Sequence, residues 1–131
     1  MDEFKVLVVD DEDDFRETLI KRLRNRKLQA DGVASGYQAL EKLRQTPMDI
    51  VILDVKMPGL DGIATLKEIK ARYPEIEVIM LTGHASVESG IQGMQLGAFD
   101  YVMKPVPLDE LLDKMRQAYE RKKLRSGQRA D

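Results

Sequence analysis

The sequence predicts an α/β fold, an open parallel sheet of five strands with helices on both faces. Three observations predict it. Five short β-branched runs alternate strictly with helical segments along the chain. Three of those runs, Val6–Val9, Ile50–Leu53 and Val78–Leu81, are continuous apolar blocks rather than alternating ones. Strands covered on both faces read that way. The length of 131 residues, with 43% hydrophobic and 34% charged, suits one domain with a real core and leaves little room for a second.

The elements follow in order. Phe4–Val9 is the first strand, and Phe15, Leu19 and Leu23 mark the inner face of the first helix at three- and four-residue steps. Leu28–Val33 is more mixed and belongs at a sheet edge. Ser35 with Gln38 reads as a capping box opening the second helix. Asp49–Leu53 is the third strand, Ile63, Leu66 and Ile69 form the stripe of the third helix, and Pro74 closes that helix. Ile76–Leu81 is the fourth strand, Val87 to Gln95 the fourth helix, and Phe99–Met103 a second edge strand. Pro107 suits the first turn of the last helix, whose apolar face is Leu108, Leu111, Leu112, Met115 and Tyr119.

Right-handed crossovers leave few topologies, and the flavodoxin-like order 2-1-3-4-5 is the one expected. The doubly wound domain is expected to span residues 1–123. From Arg121 the sequence RKKLRSGQRAD loses its apolar face, so this end is expected to fray, and 124–131 to be a flexible tail or the start of a linker. Arg121, Lys122, Lys123 and Arg125 read as a solvated helix end favoured by the helix dipole. Met80, Met94, Met103 and Met115 read as core packing rather than a partner groove.

Composition excludes several function classes. A net charge of −2 argues against broad phosphate-backbone binding, so no direct nucleic-acid binding is expected. With no cysteine, disulfides, thiolate metal sites and cysteine nucleophiles are excluded. MDEFKVLVVDD is no signal peptide, no apolar run approaches a membrane span, and a cytoplasmic protein is expected.

In open α/β sheets ligands bind beyond the carboxyl ends of the strands. The first strand ends in Asp10-Asp11, the third in Asp54, the fourth in Thr82-Gly83 and the fifth in Lys104-Pro105. These strands are neighbours in the expected order, so their ends converge on one shallow pocket. Two like charges about 4 Å apart repel by roughly 4 kcal/mol at an effective dielectric near 20, so three carboxylates there call for a cation. Hard oxygen donors without His or Cys favour Mg²⁺, commonly completed by a phosphoryl oxygen. Lys104 and Thr82 suit further phosphoryl oxygens, and an aspartate is a competent nucleophile toward phosphorus. A lone Asp, Thr or Lys at a strand end is usually a plain loop residue; the coincidence of four ends is what carries the reading. Asp13 and Asp14 are assigned to capping and the dipole of the first helix, and Glu12 to solvent.

At this point the chain resembles a family. KVLVVDDE, DIVILDVKMPGLDG, VIMLTGHA and GAFDYVMKPV, in this order, are similar to the segments of bacterial response-regulator receiver domains, over roughly Phe4 to Lys122. The resemblance implies that Asp54 is the phosphoacceptor and that Asp10 and Asp11 hold Mg²⁺, with the backbone carbonyl of Lys56 a further ligand. Thr82 and Lys104 match the hydroxyl and lysine that bind phosphoryl oxygens. Gly83 matches the small residue admitting the donor, and Tyr101 the aromatic that changes rotamer with Thr82. Lys56 and His84 match positions that influence the lifetime of the aspartyl phosphate, although an exposed loop residue is at least as good a reading of His84. A cis Lys104–Pro105 bond is also implied, and X–Pro bonds carry a small cis penalty.

The implied function is a two-component signalling switch, not an enzyme: a phosphoacceptor that assists only its own phosphorylation and autodephosphorylation. Its implied partners are a sensor histidine kinase or phosphotransfer protein, and an output domain or effector reached through the fourth helix, fifth strand and fifth helix. A phosphorylation-dependent dimer stays open. Two rival functions fit the sequence less well. A flavodoxin-like electron carrier needs a Ser/Thr/Gly-rich loop where this chain has five consecutive acidic residues, Asp10 to Asp14. A phosphatase or phosphotransferase with an aspartyl nucleophile needs a cap or general acid that the sequence does not offer.

Overall fold

The structure, a computed structural model, describes residues 4–55, 61–83 and 87–130, except the side chains of 87–90 and 126–130. Five strands alternate with five helices: β1 (Lys5–Val9), α1 (Asp13–Asn25), β2 (Gln29–Val33), α2 (Gly36–Gln45), β3 (Ile50–Asp54), α3 (Gly62–Arg72), β4 (Glu77–Thr82), α4 (Val87–Gln95), β5 (Asp100–Met103) and α5 (Leu108–Ala130). All strand pairs are parallel in the order β2-β1-β3-β4-β5. The two mixed runs, β2 and β5, form the edges, as their composition requires.

The continuous apolar blocks resolve into two cores because successive side chains leave a strand on opposite faces. Val6, Val8, Ile50, Ile52, Ile79 and Leu81 pack with Leu19 and Leu23 of α1 and Leu111, Leu112 and Met115 of α5. Leu7, Val9, Val51, Leu53, Val78 and Met80 pack on the other face with Ala39 and Leu43 of α2 and Leu66 and Ile69 of α3. A fully buried side chain of this kind contributes about 1.5–3 kcal/mol, so this sorting holds the helices to both faces. Gly93 of α4 lies against the same core, where the flexible end of the Met80 side chain would have to move aside for a Cβ.

The ladder continues past the carboxyl ends of the strands, and this positions the site. Asp10 N–H donates to Val33 O (3.1 Å), Val55 N–H to Leu81 O (3.0 Å) and Lys104 N–H to Thr82 O (2.8 Å). The Lys104–Pro105 peptide is cis, as the resemblance implies.

Helix ends bear out the sequence reading with changes of detail. Ser35 Oγ accepts the Gln38 N–H at 3.2 Å, whereas Gln38 Oε1 reaches back to the N–H of Ala34 rather than of Ser35. α3 ends at Arg72, before Pro74. Pro107 stands one residue ahead of α5, and its carbonyl accepts the Leu111 N–H at 3.0 Å. The residue at the α1 N-cap is Glu12, with no side-chain cap bond; Asp13 and Asp14 follow in the first turn, where the dipole favours them.

Two expectations are corrected. Met80 and Met115 are core residues, but Met94 is exposed. The helix is continuous to Ala130, and of its basic cluster Arg121 and Lys122 are half-buried in ion pairs while Lys123 and Arg125 stay exposed. Beyond Tyr119 its apolar face gives way to ion pairs with the amino-terminal ends of the strands. Arg121 grips the fully buried Glu77 with Nε and Nη2, at 2.6 and 2.5 Å, and lies over the Phe99 ring. Arg125 reaches Glu77 at 3.5 Å and Lys122 reaches Asp49 at 3.0 Å. Glu77→Gln is therefore expected to cost about 1–3 kcal/mol, as loss of charge-assisted hydrogen bonds does. Faster amide exchange at residues 121–125 with a lower urea midpoint checks this.

Candidate functional site

The carboxyl edge of the sheet gathers the residues singled out from the sequence. Oxygens of Asp10, Asp11 and Asp54 all lie within 4.8 Å of one another. Asp10 and Asp54 are buried and Asp11 is exposed, so the cluster opens to solvent on one side. Thr82 ends β4, one residue beyond Leu81, the register partner of Asp54, and is 1% exposed. Tyr101 on β5 is half-buried, opposite Met80, and packs on the second core. A Cβ on Gly83 would meet nothing within 4 Å, leaving that approach open. Lys56 and His84 lie outside the described residues.

Lys104 closes the cluster. Its Nζ stands 2.9 Å from Asp10 Oδ2, 2.8 Å from Glu12 Oε1 and 3.9 Å from Asp54 Oδ2. The Phe15 ring lies beneath it at 4.4 Å, a favourable cation–π arrangement. Burial, the largest influence, pushes the ammonium down; hydrogen bonds to Glu12 and Asp10 and the charges of Asp54 and Asp10 outweigh it, holding Lys104 above the ordinary lysine value. The stability these contacts lend is present below that ordinary value and lost as pH rises through the raised one.

Asp10 is fixed by its backbone surroundings. Its Oδ1 accepts the Glu12 N–H at 2.9 Å, and its carbonyl accepts Arg16 Nη1 at 2.8 Å. Its buried Oδ2 faces the Lys104 ammonium at 2.9 Å and meets no other polar partner among the described residues. A buried carboxylate oxygen left so is costly. With an oxygen of Asp10 within 4.8 Å of oxygens of Asp11 and Asp54, the side chain fits a cation ligand. Three hard oxygen donors without nitrogen or sulfur suit a divalent cation of the Mg²⁺ kind.

Sequence reasoning missed three contributors. Glu12, assigned to solvent, hydrogen-bonds Lys104, which lowers its pKa by that bond first and by charge second. Phe15, read only as core, also carries the Lys104 ammonium on its ring. Gly62, within the quoted segment DIVILDVKMPGLDG, has no room for a side chain. A Cβ there would fall 2.5 Å from Val55 Cα and 2.6 Å from Val55 O, and nearer still to the Asp54 carbonyl oxygen. Only the Gly after Asp61, whose carboxylate caps α3 through the Ala64 N–H at 2.8 Å, hints at this close passage.

The family model described as the response regulator receiver domain matches residues 6–116. The chain belongs to the response-regulator receiver family. Receivers act as phosphorylation-dependent switches, interact with histidine kinases and output domains, and typically use Mg²⁺ at an acidic pocket. The chain is 43% identical over 110 residues to the transcriptional regulatory protein ZraR of Escherichia coli (strain K12), covering 84% of this chain and 25% of ZraR. It is 39% identical over 105 residues to the DNA-binding transcriptional regulator NtrC of the same strain, covering 80% of this chain and 22% of NtrC. This receiver thus spans about a quarter of the length of those relatives. Among solved structures, a response-regulator receiver domain protein from Clostridium thermocellum has a TM-score of 0.89 at 36% identity, covering 92% of this chain and 98% of that one. NtrX from Brucella abortus has a TM-score of 0.90 at 32% identity, covering 96% of this chain and 29% of that one.

Gly62 offers a direct test of how the β3–α3 backbone frames the receiver site. Gly62→Ala must push backbone apart beside Asp54, costing about 1–3 kcal/mol as overpacking does. A lower melting temperature, together with weaker Mg²⁺ binding by NMR titration, is expected.

Proposed function

We propose that Asp54 accepts a phosphoryl group from a phosphohistidine on a partner kinase or phosphotransfer protein, and that the change is read at the surface of α4, β5 and α5. The observation that carries this is the convergence of Asp10, Asp11 and Asp54 with the Lys104 ammonium at one sheet edge. Asp10, Asp11 and Asp54 would hold Mg²⁺, with the Lys56 carbonyl a further ligand by family resemblance. When bound, the ion supplies positive charge that offsets the carboxylates and polarises a phosphoryl oxygen.

The chain's own residues do the rest by position and charge. A carboxylate oxygen of Asp54 attacks phosphorus while the phosphorus–nitrogen bond of the donor breaks. The bonding pair leaves with the imidazole, and Asp54 becomes an acyl phosphate. Lys104 binds one phosphoryl oxygen and the Thr82 hydroxyl donates to another. Thr82 moving inward vacates space that Tyr101 fills, biasing a two-state equilibrium of the outer face. Gly83 keeps the approach to Asp54 open, and Lys56 and His84 tune the lifetime of the phosphate. The receiver proper is residues 1–123, and 124–131 is a tail or the start of a linker. Catalysis of an external reaction is no part of this reading, nor is DNA binding by this chain.

Intact mass after incubation with Mg²⁺ and acetyl phosphate tests the acceptor. A Mg²⁺-dependent phosphoryl adduct on the wild type and none on Asp54→Ala is expected. An adduct that survives the substitution names another acceptor.

A further inference from the structure

The Lys104 ammonium has three N–H donors and no acceptor capacity. In this structure it faces two near oxygens, Glu12 Oε1 at 2.8 Å and Asp10 Oδ2 at 2.9 Å, while Asp54 Oδ2 stands farther off at 3.9 Å. The Phe15 ring closes a further side. A phosphoryl group on Asp54 needs a close Lys104 donor, whereas the two near carboxylates hold the ammonium 3.9 Å from Asp54 Oδ2, so drawing it to the phosphoryl oxygen lengthens one of these contacts.

The two carboxylates differ sharply in what release costs. The Asp10 side chain is 0% exposed and would be left charged and dry without Lys104. The Glu12 side chain is 64% exposed, and water replaces the ammonium there at little cost. The backbone of Glu12 is meanwhile fixed: its N–H is held by Asp10 Oδ1 and its carbonyl accepts the Arg16 N–H at 2.9 Å. Only the side chain needs to swing.

We propose that Glu12 is a positioning residue that latches Lys104 before phosphorylation, competing with the incoming phosphoryl group for the ammonium and yielding it when Asp54 is modified. The inference rests on Asp54 being the acceptor. The latch holds Lys104 toward α1, and its negative charge also opposes the approaching donor. Taking the charge off Glu12 frees Lys104 for the phosphoryl oxygens, so the domain phosphorylates faster without a change in fold.

The test measures initial rates of adduct formation with acetyl phosphate at fixed Mg²⁺, by intact mass, for wild type, Glu12→Gln and Asp54→Ala, at low and high salt. Glu12→Gln keeps the shape and removes the charge. It is expected to react about two- to fivefold faster than wild type, the range for loss of one exposed ion pair. The gain should shrink at high salt, where exposed charges are screened, and the melting temperature should stay close to wild type. A merely structural role would move the melting temperature and leave no salt-dependent rate difference. An unchanged or slower Glu12→Gln overturns the latch while the acceptor assignment stands. No adduct on the wild type, or one that persists in Asp54→Ala, overturns both.

Discussion

Three carboxylates pressed together at the end of a buried sheet are the constraint on which the rest of this molecule depends. Oxygens of Asp10, Asp11 and Asp54 lie within 4.8 Å of one another, with Asp10 and Asp54 buried. At such separations two unit charges repel by about 4 kcal/mol at a dielectric near 20. The Lys104 ammonium, raised on the Phe15 ring and shared with Glu12, answers part of that repulsion. A divalent cation bound there would answer more. A switch follows from this arrangement: a site that is electrostatically incomplete by itself responds strongly to a cation and a phosphoryl group.

The fold exists to hold those groups still. Parallel strands put every carboxyl end on one edge, and the ladder bonds past Val9, Asp54 and Met103 fix the backbone from which the site residues project. Two apolar cores, one per face, clamp the sheet from both sides. At the opposite edge the pairs Glu77–Arg121 and Asp49–Lys122 bind α5 to the body. The charged cluster at the carboxyl edge and the ionic anchoring of α5 therefore sit at the two ends of the same strands.

Much of this was legible in the sequence, for identifiable reasons. The strands β1, β3 and β4 announce themselves because burial on both faces demands unbroken apolar blocks, and the mixed runs fall at the edges because one flank is open. Asp10, Asp11, Asp54, Thr82 and Lys104 are legible because each lies at or just past the carboxyl end of a strand whose neighbours can be inferred. The Glu12–Lys104 contact and the Glu77–Arg121 pair were not. Their partners lie 92 and 44 residues apart, and a charged residue in an acidic run or a basic tail carries no local mark of a distant partner. Gly62 escaped for a similar reason, since only the approach of the Val55 backbone gives it meaning.

The central claim is that the acidic cluster is strained by its own charge until a cation joins it. Melting Asp54→Asn against wild type, with chelator and with saturating Mg²⁺, tests this most directly. The substitution keeps the shape, removes the repulsions with Asp10 and Asp11, and weakens the attraction to Lys104, which stands 3.9 Å away. Asp54→Asn should therefore melt higher than wild type in chelator, and Mg²⁺ should raise its melting temperature less than it raises the wild type's. An Asp54→Asn protein that melts lower in chelator, or gains as much from Mg²⁺ as wild type, would contradict the account.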